Sequence, residues 1–261
     1  SGWIRYLSLE EDSVKVPREW EELNLYYTMA ARQAIILFQV GTDVESYADL
    51  YAQWLDCRRF SPGQQQVLAR QIARWAYRPN IVPVVLDFEE DAHALQVTLQ
   101  SIRGQLYGCE SVVLLSNARP SVEGAVLQVA LQSDWSQQLN TLLPQLDGVD
   151  WFYLLRAGDR LTESALLVMA DRIVGMPSVT CIYSDEGALV DDKPAEPIFK
   201  PDFNYDLMRG YPYVGRTLAF ERRRFIEMGG FYPLLGELAP HDLMLRLVES
   251  DGPQTVEHIA E

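Results

Sequence analysis

Short apolar runs alternate with amphipathic stretches from residue 79 to the end of the chain. The runs that predict buried strands are 79–89, 112–115, 151–155, 179–183 and 254–259. Between two of them, apolar residues recur at helical spacing at Leu166, Met169 and Ile173. Strands that alternate with helices are typical of a mostly parallel sheet flanked by helices. The pattern therefore predicts an α/β fold.

The first part of the chain has a different pattern, which predicts helices. Its aromatic residues recur at helical spacing at Tyr47, Tyr51 and Trp54. Ser61 followed by Pro62 is typical of the start of a further helix. We interpret residues 1–76 as a mainly helical prefix and residues 77–261 as the α/β domain. The aromatic face is expected to pack against the sheet, with sugar or partner binding as the alternative.

Composition and charge narrow the classes of partner. The chain has 261 residues, of which 48% are hydrophobic, enough for a sizeable core. Its formal net charge of -15 argues against a nucleic-acid partner and against adsorption to an anionic membrane leaflet. The one basic cluster, 222–224, is interpreted as a solvated helix face, or alternatively as a local contact with membrane or phosphate.

Cysteine usage and hydropathy bear on location. Cys57, Cys109 and Cys181 are widely separated and odd in number, which fits a reduced compartment. No apolar run approaches the length of a transmembrane helix. We expect a cytoplasmic location, with the inner face of the membrane as the alternative. Because the chain starts with Ser1-Gly2 and stops just after a predicted strand, we also expect it to be part of a longer polypeptide with other domains.

Candidate site residues lie at the ends of the predicted strands. They are Phe88 near the end of the first strand, Ser116 and Asn117 after the second, Arg156 and Asp159 after the third, and Asp185 and Glu186 after the fourth. His241 and Asp242 begin a later amphipathic stretch. The carboxyl ends of parallel strands are where α/β sheets place ligands. The sequence thus predicts a binding site at this edge.

The order of these motifs resembles a family 2 glycosyltransferase of the GT-A fold. The resemblance also rests on a helix end with Leu99, Ser101, Ile102, Gln105 and Tyr107, and on the segments 183–186, 199–202, 229–231 and 241–246. It implies a GT-A-like domain that binds a nucleotide-diphosphate sugar and a glycan acceptor for polysaccharide or cell-surface glycan synthesis. It also implies that Phe88 lies against the base, Ser116 and Asn117 near base and ribose, and Asp185 and Glu186 near the acceptor.

The metal motif of that family is altered in this chain. The resemblance implies Mg²⁺ or Mn²⁺ held by an Asp-x-Asp turn, which neutralises the leaving diphosphate. Here the turn contains Arg156, Ala157, Gly158 and Asp159, so both core carboxylates are replaced. Asp159 is the single candidate metal ligand. A fixed guanidinium matches phosphate oxygens, so Arg156 is a candidate replacement for the metal.

The catalytic base of the family is also altered. The resemblance implies an Asp base in a Glu/Gln-Asp-x-Asp-Leu pattern, and alignment on Asp242 puts Pro240 at that position. Proline cannot accept a proton, which leaves His241 and Asp242 as the candidate catalytic residues. Two functions stay open: an active transferase with unusual residues, or a non-catalytic module that binds a glycan, a nucleotide or a neighbouring transferase domain.

Each candidate also has a purely structural interpretation. Asp159 could belong to a loop that caps the next helix, and Arg156 could be a solvated loop residue. The pair Asp185-Glu186 could form a polar turn before Gly187. His241 and Asp242 could be the amino-terminal cap of the helix that follows.

Overall fold

The computed structural model describes residues 51–52, 54–56, 58–118, 126–190 and 193–260. Most of the predicted prefix, including Tyr47, therefore lies outside the described residues. Residues 51–52 and 54–56 are helical, and helix α1 (Pro62–Ile72) follows. Ser61 accepts a hydrogen bond from the Gln64 amide, and the Gln64 side chain accepts one from the Ser61 amide. This capping box confirms the helix start that the sequence predicts.

A seven-stranded sheet forms the centre of the fold, in the order β3-β2-β1-β4-β8-β5-β9. Its strands are β1 (Ile81–Leu86), β2 (Val112–Leu115), β3 (Val126–Val129), β4 (Trp151–Arg156), β5 (Cys181–Ser184), β8 (Leu218–Glu221) and β9 (Val256–Ile259). Strand β8 runs antiparallel to both of its neighbours, whereas the other pairings are parallel. Strands β6 (Glu186–Val190) and β7 (Lys193–Ile198) form a separate antiparallel hairpin. The mostly parallel sheet is confirmed.

Helices cover both faces of this sheet. They are α2 (Ala92–Arg103), α3 (Trp135–Leu142), α4 (Ala165–Gly175), α5 (Tyr205–Gly210), α6 (Arg222–Glu227) and α7 (Ala239–Asp251). On one face, residues such as Phe152 of β4 pack with α3, α6 and α7. On the other, residues such as Val85 of β1 pack with α2 and α4. Strands buried on both faces explain why the apolar runs are nearly continuous.

Some boundaries differ from the sequence expectations. Strand β5 begins at Cys181 rather than at 179, and a short 3-10 helix (Pro253–Thr255) precedes β9. Helix α7 begins at Ala239, before His241 and Asp242, and its N-cap is Leu238. The interpretation of His241 and Asp242 as the cap is therefore wrong, because the helix already includes both residues in its first turn.

Tyr51 and Trp54 are the described residues of the aromatic prefix face, and neither belongs to a core cluster of the sheet. By contrast, Leu68, Ile72 and Trp75, in and just after α1, pack against one of those clusters. Trp54 is only partly buried, and its ring lies 5.7 Å from the Tyr51 ring and 6.0 Å from the Phe199 ring. Tyr51 approaches Gly187 so closely that a Cβ there would lie 2.6 Å from its hydroxyl oxygen. The helical segment that carries Tyr51 and Trp54 thus packs against Gly187, near the start of the β6–β7 hairpin, and against Phe199.

Replacing Trp54 by alanine is expected to destabilise the protein by about 1 to 2 kcal/mol, below the ~3 to 5 kcal/mol typical of a fully buried tryptophan. The ring packs on two aromatic neighbours but belongs to neither core cluster. Urea unfolding of the variant measures the change. A loss above about 3 kcal/mol would show that the ring is part of a true core contact.

Candidate functional site

The carboxyl edge of the sheet gathers loops from both halves of the chain. Strands β1, β2 and β4 end there, and the antiparallel strand β8 starts there. The turn after β4 is fixed by Gly158, whose amide donates to the Ala94 carbonyl and to Thr98 Oγ1. Gly158 has a φ of 100°, a conformation that side chains with a Cβ rarely adopt. The turn therefore holds Arg156 and Asp159 in a defined position over the strand ends.

Asp159, the candidate metal ligand, is bound by an arginine. Arg216 Nη1 donates to Asp159 Oδ2 at 2.7 Å and Arg216 Nη2 to Oδ1 at 2.5 Å. The Arg156 amide donates to the same Oδ2 at 2.7 Å. Burial alone would lower the pKa of Arg216, but the hydrogen bonds and charge of Asp159 raise it above its ordinary value. Asp159 does not cap the next helix, whose N-cap is Ser164.

Arg156 faces the cleft between an aromatic ring and a carboxylate. Its guanidinium carbon lies 5.1 Å from the centre of the Phe88 ring, and it forms an ion pair with Glu237. Phe88 packs edge-on against Trp135, with ring centres 6.4 Å apart. Burial lowers the pKa of Arg156, and the nearby charge of Arg216 acts in the same direction. The two arginines are thus close enough to repel each other.

The residues at the end of β4 do not fit a divalent cation. Both Asp159 oxygens are engaged by Arg216, and the position of the first motif carboxylate carries the positive charge of Arg156. Across the part of the chain that the structure describes, no group of three or more His, Cys, Asp or Glu side chains could hold a metal ion. A hard cation needs several oxygen ligands, which this turn does not offer.

Ser116 and Asn117 lie at the neighbouring strand end, where their side chains bind other residues. Ser116 Oγ donates to Asp87 Oδ2 at 2.6 Å, and both residues are buried. Asn117 is exposed, and its amide group donates to Glu90 Oε1 at 3.2 Å. Asp87, which follows β1 and was not a sequence candidate, thus supplies a buried carboxylate beside Ser116.

Asp185 is held inside the protein. One carboxylate oxygen, Oδ1, accepts the Lys200 amide at 2.7 Å and lies 2.9 Å from His258 Nε2. The His258 ring stacks on Tyr183, with ring centres 4.8 Å apart. These contacts tie β5, β9 and the segment after β7 together. Asp185 therefore has a structural role in addition to its predicted place near an acceptor.

Glu186 pairs with a buried lysine. Lys200 Nζ lies 2.6 Å from Glu186 Oε1 and donates to the Val214 carbonyl at 2.8 Å. Burial lowers the pKa of Lys200, although the neighbouring charge of Glu186 opposes this change. Gly215 lies against the pair with a φ of 76°, and a Cβ there would lie 2.5 Å from Glu186 Oε1. The pair thus supports the loop that carries Arg216.

The two catalytic candidates, Asp242 and His241, are both partly buried by other parts of the protein. Asp242 accepts a hydrogen bond from Arg246 Nε at 2.8 Å, and Arg246 also donates to the carbonyls of Met228 and Gly230. The His241 ring nitrogens are buried, and within the described residues neither makes a hydrogen bond of normal geometry. Burial lowers the pKa of His241, more strongly than the nearby Gly215 backbone raises it.

A small cavity lies at the centre of the site. It measures about 20 Å³ and is lined by Leu86, Trp135, Leu154, Leu155, Arg156, Arg216, Glu237 and Pro240. This is room for one water molecule. The structure brings Arg156 and Pro240 to this cavity, together with Arg216 and Glu237, while Phe88 and Asp159 contact the two arginines. A larger cavity of about 730 Å³ lies between α1 and α4, away from the strand ends.

Arg216 and Glu237 are residues that the motif analysis missed. Arg216 reaches Asp159 from 57 positions along the chain, because β8 returns antiparallel beside β4. Glu237 lies in the 3-10 helix Pro233–Leu238, just before α7. Neither residue belongs to a local pattern that indicates a site.

Two relatives cover most of this chain. O-antigen biosynthesis protein RfbC from Myxococcus xanthus is 28% identical in an alignment 231 residues long, which covers 83% of this chain and 18% of that protein. The uncharacterized protein y4gI from Sinorhizobium fredii (strain NBRC 101917 / NGR234) is 25% identical in an alignment 236 residues long, which covers 85% of this chain and 26% of that protein. The chain thus spans about a fifth to a quarter of the length of these curated relatives. No family model matches it.

Solved structures give the fold. Glucosyl-3-phosphoglycerate synthase from Mycobacterium tuberculosis, in complex with UDP, is 11% identical and has a TM-score of 0.50 over 77% of this chain and 74% of that chain. Of the helices in the described part of this chain, none combines the length and apolar character needed to span a bilayer. At the level of the fold, the resemblance noted in the sequence is confirmed: the chain has the GT-A fold of glycosyltransferases.

Proposed function

We propose that this chain is a nucleotide-sugar-binding domain in the synthesis of a cell-surface polysaccharide, with little or no transfer chemistry of its own. The binding site would be the carboxyl edge of β1, β2 and β4, where Phe88, Ser116, Asn117, Arg156 and Asp159 follow the strands. Two comparisons support this proposal. A relative is an O-antigen biosynthesis protein, and a protein of the same fold binds UDP.

The observation that carries the loss of catalysis is Pro240. It is buried and lines the central cavity, at the position where the family resemblance implies the base. Asp242 is held by Arg246, and neither Asp242 nor His241 lines the cavity. A general base must reach the proton that it removes through a hydrogen bond or one water. These contacts favour a binding role over a catalytic one.

The same proposal includes a longer protein, of which this chain is one domain. The chain corresponds to a minor part of each relative, so other domains of the full protein could supply the transfer activity. The location that belongs to this proposal is the cytoplasm, or the inner face of the membrane. A glycan acceptor would then meet this domain near Asp185 and Glu186.

The second candidate function is an active transferase with a relocated base. One observation favours it: Glu237 places a carboxylate beside the cavity, three positions before Pro240. Glu237, rather than His241 or Asp242, would then take the proton from the acceptor. Its ion pair with Arg156 would have to open first.

Release of nucleoside diphosphate from UDP-, GDP- and dTDP-sugars separates the two functions. We expect the domain to bind at least one of these nucleotides by calorimetry and to release no diphosphate above an enzyme-free blank. Turnover that disappears in Glu237→Gln would establish the active transferase with Glu237 as its base. Turnover that disappears instead in His241→Ala or Asp242→Asn would assign that role to the corresponding residue. Absence of binding to every nucleotide would contradict both functions.

A further inference from the structure

Two guanidinium groups flank the cavity at the end of β4. Arg156 ends the strand, Arg216 stands just before β8, and both line the cavity. Their side chains are 34% and 42% exposed, so both can be reached from solvent. Burial is the main cause of the lowered pKa of Arg156, and repulsion by the charge of Arg216 adds to it. An anion between them would relieve that repulsion.

Each guanidinium is oriented before any ligand arrives. Asp159 holds Arg216 through two parallel hydrogen bonds, the geometry that fixes an arginine most firmly. Arg156 lies over the face of the Phe88 ring, which restricts its plane. A binding group that is already oriented loses less conformational entropy when the ligand arrives.

Asp159 is therefore the partner of an arginine and is unsuited to be the ligand of a metal. Its carboxylate is only 18% exposed and faces a guanidinium on both oxygens. A cation that entered would have to displace Arg216 and would still lie beside the positive charge of Arg156. Arg156 supplies a positive charge at this position once its ion pair with Glu237 opens.

We propose that Arg156 and Arg216 form a metal-independent clamp for the diphosphate group of a nucleotide. This inference rests on the proposed function and deepens it, because it assigns the group that binds the phosphates. A guanidinium offers N–H donors in a planar fork that matches phosphate oxygens. Phe88, beneath Arg156, would continue the site toward the base.

Glu237 occupies the clamp in the absence of ligand. Its carboxylate pairs with Arg156 and is 60% exposed, and it lies in a segment where Gly236 breaks the 3-10 helix with a φ of 51°. A cavity of about 20 Å³ cannot hold a diphosphate, so the ligand must displace this carboxylate. Glu237 would thus compete with the diphosphate for Arg156.

Calorimetric titration with inorganic pyrophosphate, UDP, GDP and dTDP, in EDTA and then in Mn²⁺, tests the clamp. We expect Arg156→Gln and Arg216→Gln each to weaken binding about tenfold or more, and Arg216→Lys to restore only part of the loss, because lysine lacks the fork. Arg223→Gln is the matched control, since Arg223 is an exposed arginine on α6 at the opposite edge of the sheet. Glu237→Gln is expected to tighten binding several-fold.

Each outcome has a defined meaning once thermal unfolding shows that the variants fold. Affinity that requires Mn²⁺, or that is equal in the arginine variants and in Arg223→Gln, overturns the clamp. If nucleotides still bind in that case, the proposed function stands without the clamp. If pyrophosphate binds through the arginines but no nucleotide does, the two arginines form a diphosphate site, but its assignment to a nucleotide and the proposed function are overturned. If neither pyrophosphate nor a nucleotide binds, both are overturned.

Discussion

Replacing Gly215 by alanine is expected to destabilise the protein by about 2 to 4 kcal/mol, through backbone strain and the loss of a buried ion pair. The residue has a φ of 76°, and its Cβ would lie 2.5 Å from Glu186 Oε1 and 2.8 Å from Lys200 Nζ. Lys200 has little room to retreat, because it is 2% exposed and donates to the Val214 carbonyl. The ion pair would have to open or the loop would have to shift.

Gly148→Ala is the matched control for this effect. Gly148 has a φ of 72°, but no atom lies within 4 Å of the place where its Cβ would be. Its replacement adds the same backbone strain without the clash and should cost about 1 to 2 kcal/mol. Urea unfolding of both variants measures the difference between them. Equal losses would show that the Lys200–Glu186 pair adapts without cost and does not support the loop that carries Arg216.

The sequence predicts best the strands that are buried on both faces. Strands β1, β2 and β4 are apolar runs with β-branched or aromatic residues, and the structure confirms them. The β6–β7 hairpin was not predicted, because β7 contains Pro194 and Pro197, which argue against a strand in a sequence pattern. Strand β8 is only four residues long and passes directly into α6, so its apolar residues give no clear periodicity.

The start of α7 was predicted too late, although its sequence contains the signal. Pro240 follows Ala239 in the first turn, a position where proline loses no intrahelical hydrogen bond. Because the polar pair His241-Asp242 resembles a helix cap in composition, the start of α7 was predicted at this pair. The same proline was interpreted only as a missing base, whereas it also explains why the helix can begin there.

The place of Arg156 and Asp159 at a strand end could be predicted from the sequence, but the residues that pair with them could not. The strand-end residues Arg156 and Asp159 lie where the sequence places them, because strand ends follow from local apolar runs. Their partners Arg216 and Glu237 come from distant segments. Such long-range pairs depend on strand order, which one sequence does not reveal. Whether the Asp159 carboxylate is available to a metal could therefore not be judged from the sequence, because the sequence does not show that Arg216 lies beside it.

Restoring a base at the cavity should give the largest functional effect. We expect Pro240→Asp to raise the release of nucleoside diphosphate from a sugar nucleotide by about 10²-fold, the lower end of the contribution of a positioned base. Residue 240 lies in the first turn of α7 and lines the cavity beside both arginines. An aspartate there suits the helix amino terminus, so the variant should fold.

Pro240→Asn is the control that separates the charge from the change of shape. It has the same size as the aspartate variant and also lacks the proline ring, but it cannot accept a proton at neutral pH. A stopped assay with UDP-, GDP- and dTDP-sugars, in EDTA, compares the two variants with the unmodified domain. In the proposed clamp the two arginines supply the positive charge that the leaving diphosphate needs, so the gain should not depend on Mn²⁺. Equal rates in the Asp and Asn variants would contradict the hypothesis that residue 240 is the vacant base position.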